Sequence, residues 1–311
     1  MLAPALQTPT GRWPMLALVA SDLTPRSAPP LMRARRLAAD KTHLLHVIEA
    51  DLPRALVSTL RPAARATLCA EAAAAGLLSE GLPEVAIGLP HLSIADAADR
   101  LGAGLILMGR HRQEVLGEVF VGTTLERVIR QAERPVLVCH DPQARPWREV
   151  IFATDLSPAS LAAAQWFVRS GLAEGAHIVV AHAFIPLGQG LAGRSESGGP
   201  ARETREEAQK LQAFAVAAGF AAADCLLLPG SPAPALAALV AARGPDLLVM
   251  GTRGPSGLRR GMIGSVAQAL LRSGRLDMLA IPPAECGPPP DAGLPGPAAS
   301  SNQEAGPTGA A

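Results

Sequence analysis

The chain has no tyrosine, three tryptophans and six phenylalanines, so aromatics make up only 3% of its 311 residues. A core must therefore be assembled from alanine, leucine, valine and isoleucine, and hydrophobic residues do reach 49% of the chain. Cysteine is scarce as well. Cys69, Cys139, Cys225 and Cys286 lie too far apart for a CxxC redox pair or a zinc knuckle, and they read as reduced thiols. Neither sign of charge is in excess: 28 basic against 27 acidic residues leave +1. That balance gives no bulk electrostatic case for nucleic acid or an anionic membrane surface. No apolar run approaches the ~18 residues of a membrane helix. Residues 15–20 are too few for the apolar core of a signal peptide and read as a first strand, which points to the cytoplasm. Lys41 and Lys210 stand outside any G-K-[ST] context, so there is no Walker-type loop, and no G-x-S-x-G elbow occurs.

What the chain does have is an internal repeat. Met108-Gly109 returns as Met250-Gly251, Gly122-Thr123 as Gly264-Ser265, and Gly88-Leu89-Pro90 as Gly230-Ser231-Pro232, all at one spacing (251 − 109 = 142). With slight drift, Ser21-Asp22-Leu23-Thr24-Pro25 matches Thr154-Asp155-Leu156-Ser157-Pro158, and Leu45-His46-Val47 matches Ala181-His182-Ala183.

Each copy alternates apolar runs with helical patterns. In copy two, 150–153, 178–181, 225–228, 247–250 and 278–281 read as buried strands. Helices are expected at 203–217, 234–242 and 266–272. Ser157 is placed to cap an earlier helix with Pro158 in its first turn, its apolar face running through Leu161, Ala164, Val168 and Leu172. Copy one shows its clearest strands at 105–108 and 136–139. Strands alternating with helices imply a doubly wound parallel sheet covered on both faces. The expected division is 11–142, 147–283 and a Pro/Gly/Ala/Ser-rich tail at 284–311, read as disordered. Residues 186–201 read as a mobile loop.

The stretch with most chemistry is Gly251-Thr252-Arg253-Gly254, nine residues, then Gly264-Ser265. It follows a strand and ends at a helix. Ligands of open α/β sheets sit beyond the carboxyl ends of the strands. Glycines let backbone approach an anion, and the helix after Ser265 offers free N–H groups and the positive end of its dipole. Arg253, Arg259 and Arg260 are available to pair with phosphate oxygens.

This G-x-x-G, nine residues, G-[S/T] spacing is similar to the ATP-binding signature of universal stress proteins. The likeness extends to Asp155, Ala183, Gly230-Ser231-Pro232, 246–251 and 277–282, so it spans nearly both copies. It implies two tandem Rossmann-like domains of the adenine nucleotide alpha hydrolase-like type, each a five-stranded parallel sheet. It also implies an ATP-binding stress-response regulator rather than a metabolic enzyme. By the resemblance, Asp155 would hold adenine, backbone of Ala183 would meet the base, and Gly251 would lie against ribose. Gly254, Gly264, Ser265 and the Val266 amide would cradle phosphates with Mg²⁺, and Arg253 joins that set. Copy one departs. Asp22, Val47, Gly109, Gly122 and Thr123 match, but Arg112 replaces the second glycine and would crowd a backbone-lined pocket; the alternative is that its side chain contacts phosphate. Pro29 and Pro30 are expected to interrupt the first helix of this copy.

Other readings stay open. His46 and His182 sit at matching strand ends and read as structural. Glu114 and Glu118 read as solvated. No general base is aimed at a phosphate, so ATP hydrolysis would be slow at most. The family also dimerises through the last strand, so 136–139 and 278–281 are expected to pair within the chain. That would give an interaction scaffold that binds no nucleotide. Association of two chains is left open.

Overall fold

The computed structural model describes residues 15–24, 27–37, 41–77, 83–110, 123–186, 199–220, 223–252, 264–273 and 276–283. Half one contains β1 (Leu16–Ala20), α1 (Ala28–Arg36), β2 (Lys41–Glu49), α2 (Arg54–Ala75), β3 (Glu84–Gly88), α3 (Pro90–Arg100), β4 (Leu105–Gly109), α4 (Thr124–Gln131) and β5 (Val136–Cys139). Half two repeats the order with β6 (Glu149–Thr154), α5 (Pro158–Ser170), β7 (His177–Phe184), α6 (Gly199–Ala218), β8 (Asp224–Pro229), α7 (Pro232–Arg243), β9 (Leu247–Gly251), α8 (Ser265–Ser273) and β10 (Asp277–Ile281). The tail and most of the loop at 186–201 lie outside the described residues.

All the strands join one sheet, in the order β3-β2-β1-β4-β5-β10-β9-β6-β7-β8. Five come from each half. Neighbours are parallel within a half. At the centre β5 and β10 run antiparallel, with Leu279 opposite Leu137. Each half thereby covers the edge of its last strand with the other, leaving β3 and β8 as the outer edges.

Side chains of each strand alternate between two cores, as the two-residue period requires. On β4, Leu105 and Leu107 enter one core while Ile106 and Met108 enter the other. The first core is closed by α1, α2, α5 and α6 through Ala34, Leu68, Phe167 and Leu211. The second is closed by α3, α4, α7 and α8 through Ile94, Val128, Leu236 and Leu270. The few aromatics are concentrated: Phe152 has the rings of Phe167, Phe214 and Phe220 at centroid distances of 6.1, 6.3 and 5.5 Å.

Two helices differ from their sequence reading. In α5 the buried face runs through Ser160, Ala163, Ala164, Trp166 and Phe167. The bulky pair Trp166–Phe167 turns the helix so that Leu161 and Val168 flank the core instead of filling it. Pro29 and Pro30 do not interrupt the first helix of half one but start it, in the first turn of α1. Their missing N–H groups cost nothing there because no intrahelical acceptor exists for them.

Beside the β5–β10 pairing, one carboxylate ties the halves. Asp277, 1% exposed at the start of β10, accepts at Oδ1 from the amides of His140 (2.7 Å) and Asp141 (3.2 Å). Its Oδ2 accepts from Arg33 Nη2 of α1 (2.6 Å) and Trp147 Nε1 (3.0 Å). Arg33 lies over the Trp147 ring at 4.4 Å and donates through Nη1 to the carbonyl of Arg145. In the segment joining the halves, Ala144 and Trp147 are thus buried. Among the described residues no helix is long and apolar enough to cross a membrane.

Removing one partner of a buried ion pair leaves the other charge uncompensated. Asp277→Ala is expected to lower unfolding stability by about 3–5 kcal/mol, read by urea denaturation. The double change Arg33→Met with Asp277→Leu should recover only part of that loss, because the His140 and Asp141 amides and the Trp147 indole still lack their acceptor.

Candidate functional site

The carboxyl ends of β1 and β6 make the same turn. Leu23 and Leu156 follow the aspartates with φ of 59° and 61°, a left-handed conformation that costs a non-glycine residue about 1–3 kcal/mol. A hydroxyl at the strand end holds each turn. Thr154 Oγ1 accepts from the Leu156 amide at 2.9 Å, and Ser21 Oγ from the Leu23 amide at 3.0 Å. A second hydroxyl, six residues on, backs each of them at 2.9 Å: Ser160 behind Thr154, Ser27 behind Ser21. Histidine from the neighbouring strand completes the clamp. His182 Nδ1 donates to the Thr154 carbonyl and His46 Nδ1 to the Ser21 carbonyl, both at 2.9 Å, a structural role for the repeated histidines.

The clamp presents Asp155 and Asp22 at the point where chain order reverses in the sheet, β9-β6-β7 and β4-β1-β2. That is where ligands of such sheets sit. In half one a cavity of 210 Å³ opens there, lined by Asp22, His46, Val47, Gly109, Thr124 and Ile94 among others. The structure thus gathers Asp22, Val47 and Gly109, with Thr123 beside them as the cap of α4, accepting from the Glu126 amide at 3.2 Å. A second cavity, of 360 Å³, lies on the α2 side of the same strand end.

In half two, Asp155, Ala183 and Gly251 stand at the ends of adjacent strands β6, β7 and β9. Ser157 caps α5 by accepting from the Ser160 amide at 3.1 Å. Gly230, with φ of 109°, donates to the Phe184 carbonyl at 2.8 Å and leads into α7; its backbone conformation requires glycine. Gly264 differs. Among the described residues a Cβ there would meet the Thr252 carbonyl, at 3.9 Å, an ordinary contact. Ser265 and Val266 open α8, where N–H groups lack intrahelical acceptors. Arg112, Gly122, Arg253 and Gly254 lie outside the described residues, as do Glu114 and Glu118. Among the described residues no group of three or more His, Cys, Asp or Glu is placed to hold a metal.

The sequence reading missed the clamp hydroxyls and the glutamates behind them. Glu71 of α2 accepts from Ser21 Oγ at 2.9 Å. Its counterpart Glu207 of α6 lies 3.8 Å from His182 Nε2 and pairs with Lys210 at 2.6 Å. The signal was present: a hydroxyl residue recurs six positions beyond each strand-end hydroxyl. Burial raises the Glu71 carboxyl above its ordinary value, the Ser21 bond opposes this, and the negative Asp22 adds to it.

The family model described as Universal stress protein family matches residues 16–140 and again 146–282. The chain therefore belongs to the universal stress protein family, with two tandem copies of its α/β domain. It is 32% identical over 126 residues to a universal stress protein of Thermus aquaticus, covering 40% of this chain and 91% of that one. With a universal stress protein of Methanocaldococcus jannaschii it shares 37% identity over 54 residues, 17% of this chain and 33% of the relative, so the match spans a third of that protein's length. Among solved structures, a universal stress protein from Archaeoglobus fulgidus superposes with a TM-score of 0.63 at 17% identity, covering 86% of this chain and 98% of that one. That likeness speaks to the fold.

An acid whose folded pKa is raised binds its proton more tightly in the folded state. Its stabilising contribution is lost as pH rises from the ordinary value of 4.5 through the raised one. Glu71→Gln keeps an acceptor for Ser21 and removes the charge. Denaturation across that range should show the variant gaining on the wild type as pH rises, with the higher Tm at pH ~7.

Proposed function

We propose that half two binds an adenine nucleotide, ATP with Mg²⁺ carried on its phosphates, and that the chain works as a nucleotide-responsive regulator in the stress response. One observation carries the reading. The Asp155 carboxylate sits at the crevice with a single hydrogen bond among the described residues, from the Ser157 amide at 2.9 Å. It is a fixed acceptor with capacity left for a donor on the base or ribose. The chemistry of the remaining groups agrees. Among the described residues a Cβ at Gly264 would make no more than an ordinary contact, which fits a glycine kept there for a close-approaching anion. The first-turn amides of α8 and the Ser265 position suit phosphate, and Gly254 and Arg253 extend that set in the sequence. Ala183 and Gly251 flank the aspartate as backbone surfaces for base and sugar.

A second reading has its own support in the β5–β10 pairing: a scaffold whose purpose is to hold two domains in fixed relation, with nucleotide irrelevant.

Calorimetry of the full chain with ATP and Mg²⁺ separates them. The nucleotide reading expects saturable heat, a rise in Tm with ATP, and a loss of about tenfold or more in affinity for Asp155→Ala, the scale of one hydrogen bond to a charged group. No heat and no stabilisation at millimolar ATP would leave the scaffold.

A further inference from the structure

The two aspartates are not equally free. Among the described residues Asp155 Oδ1 takes one donor. Asp22 Oδ1 takes three: the Thr24 amide at 3.0 Å, Thr24 Oγ1 at 2.6 Å and Ser27 Oγ at 2.9 Å. A carboxylate oxygen has about two lone-pair sites, so this oxygen is filled from within the chain. Room is not the limit, because the 210 Å³ cavity lies against Asp22.

The difference traces to where the next helix begins. In half two α5 starts at Pro158, directly after Ser157, and the Ser157 hydroxyl is used as its cap. Ser160 then falls in the first turn and its hydroxyl bonds that of Thr154. In half one α1 starts only at Ala28, with Pro29 and Pro30 fixing its first turn. Pro25, the match of Pro158, precedes that start by three positions. Thr24 is thereby released from capping, and Ser27 stands ahead of the helix with no amide bonded to it as a cap. Both hydroxyls turn to Asp22, and Ser27 also accepts from the Asp22 amide at 3.1 Å.

We infer that Thr24 and Ser27 are specificity-determining residues that weaken the half-one crevice for ligand donors by filling the Oδ1 of Asp22 themselves. They take the place that a base or ribose donor would fill. This weakening is separate from the replacement of glycine by Arg112 in the phosphate loop, and it acts on ligands that carry no phosphate. It rests on the reading that Asp155 receives such a donor in half two.

Adenosine is the probe, since it lacks the phosphates that Arg112 would affect. Equilibrium dialysis of the full chain should give one adenosine per wild-type chain and two per Thr24→Val/Ser27→Ala chain. On an Asp155→Ala background the half-two site weakens by about tenfold or more, while the site gained by Thr24→Val/Ser27→Ala keeps its affinity. Because Ser27 is 2% exposed, Thr24→Val alone serves as the variant least disturbing to the fold, and should strengthen the half-one site severalfold. One site in the wild type and still one in both variants overturns the inference while leaving the half-two reading intact. Two equal sites in the wild type overturn it as well. No adenosine bound by any of these proteins overturns the inference, while the half-two reading is decided by the ATP calorimetry.

Discussion

The carboxylate of Asp277 is the contact on which the rest of the architecture turns. It lies almost wholly out of water at the start of β10 and receives four donors, every one from half one or from the segment joining the halves. A lone buried carboxylate would be prohibitively costly. Paired with Arg33 and saturated by two amides and an indole, it becomes a fastener with demanding geometry. It fixes the connecting segment, holds α1 against the seam and sets β10 beside β5. The same field reaches Cys139, whose thiol is raised well above its usual value, first by burial and then by the neighbouring Asp277 charge, with Arg33 opposing. The two domains are therefore halves of one ten-stranded sheet.

With the seam fixed, both crevices inherit defined positions, and the strand-end turns do the local work. Each holds a leucine left-handed, a conformation kept only where the surroundings over-determine it. Here they do, through two hydroxyls, a histidine and the leucine side chain packed on the core. A glycine would remove the strain but also the anchor. Similar construction at both strand ends leaves the two sites to be distinguished by small differences at and just beyond the turn, chiefly the starting point of one helix.

Much of this was legible in the residues. Alternating apolar runs gave the strands within a residue or three of their ends, because buried parallel strands write themselves as continuous Val/Ile/Leu segments. Ser157 and Pro158 marked the start of α5, and the repeat marked matching strand ends. Packing decided what pattern could not. The α5 face was read in part: Ala164 and Leu172 are buried and Leu161 and Val168 pack against the core, but Trp166 and Phe167, which the periodicity of leucine and valine passes over, fill it. Pro29 and Pro30 were read as an interruption because proline breaks and begins helices with the same chemistry, and only the neighbours decide which. The Arg33–Asp277 pair, 244 positions apart, has no local signature. Nor does the capture of Asp22 by Thr24 and Ser27, since short polar residues near a strand end fit a cap, a turn or a bridge equally well.

One sheet thus carries two geometrically alike crevices, of which we take half two to be the open one. Amide-resolved NMR of the full chain during titration with an adenine nucleotide is the decisive measurement. Shifts should concentrate at Asp155–Ser157, Ala183 and Gly264–Val266, with Asp22–Thr24 and Val47 unmoved. Shifts of equal size in both sets, or a response confined to the half-one residues, would contradict this division of the two crevices.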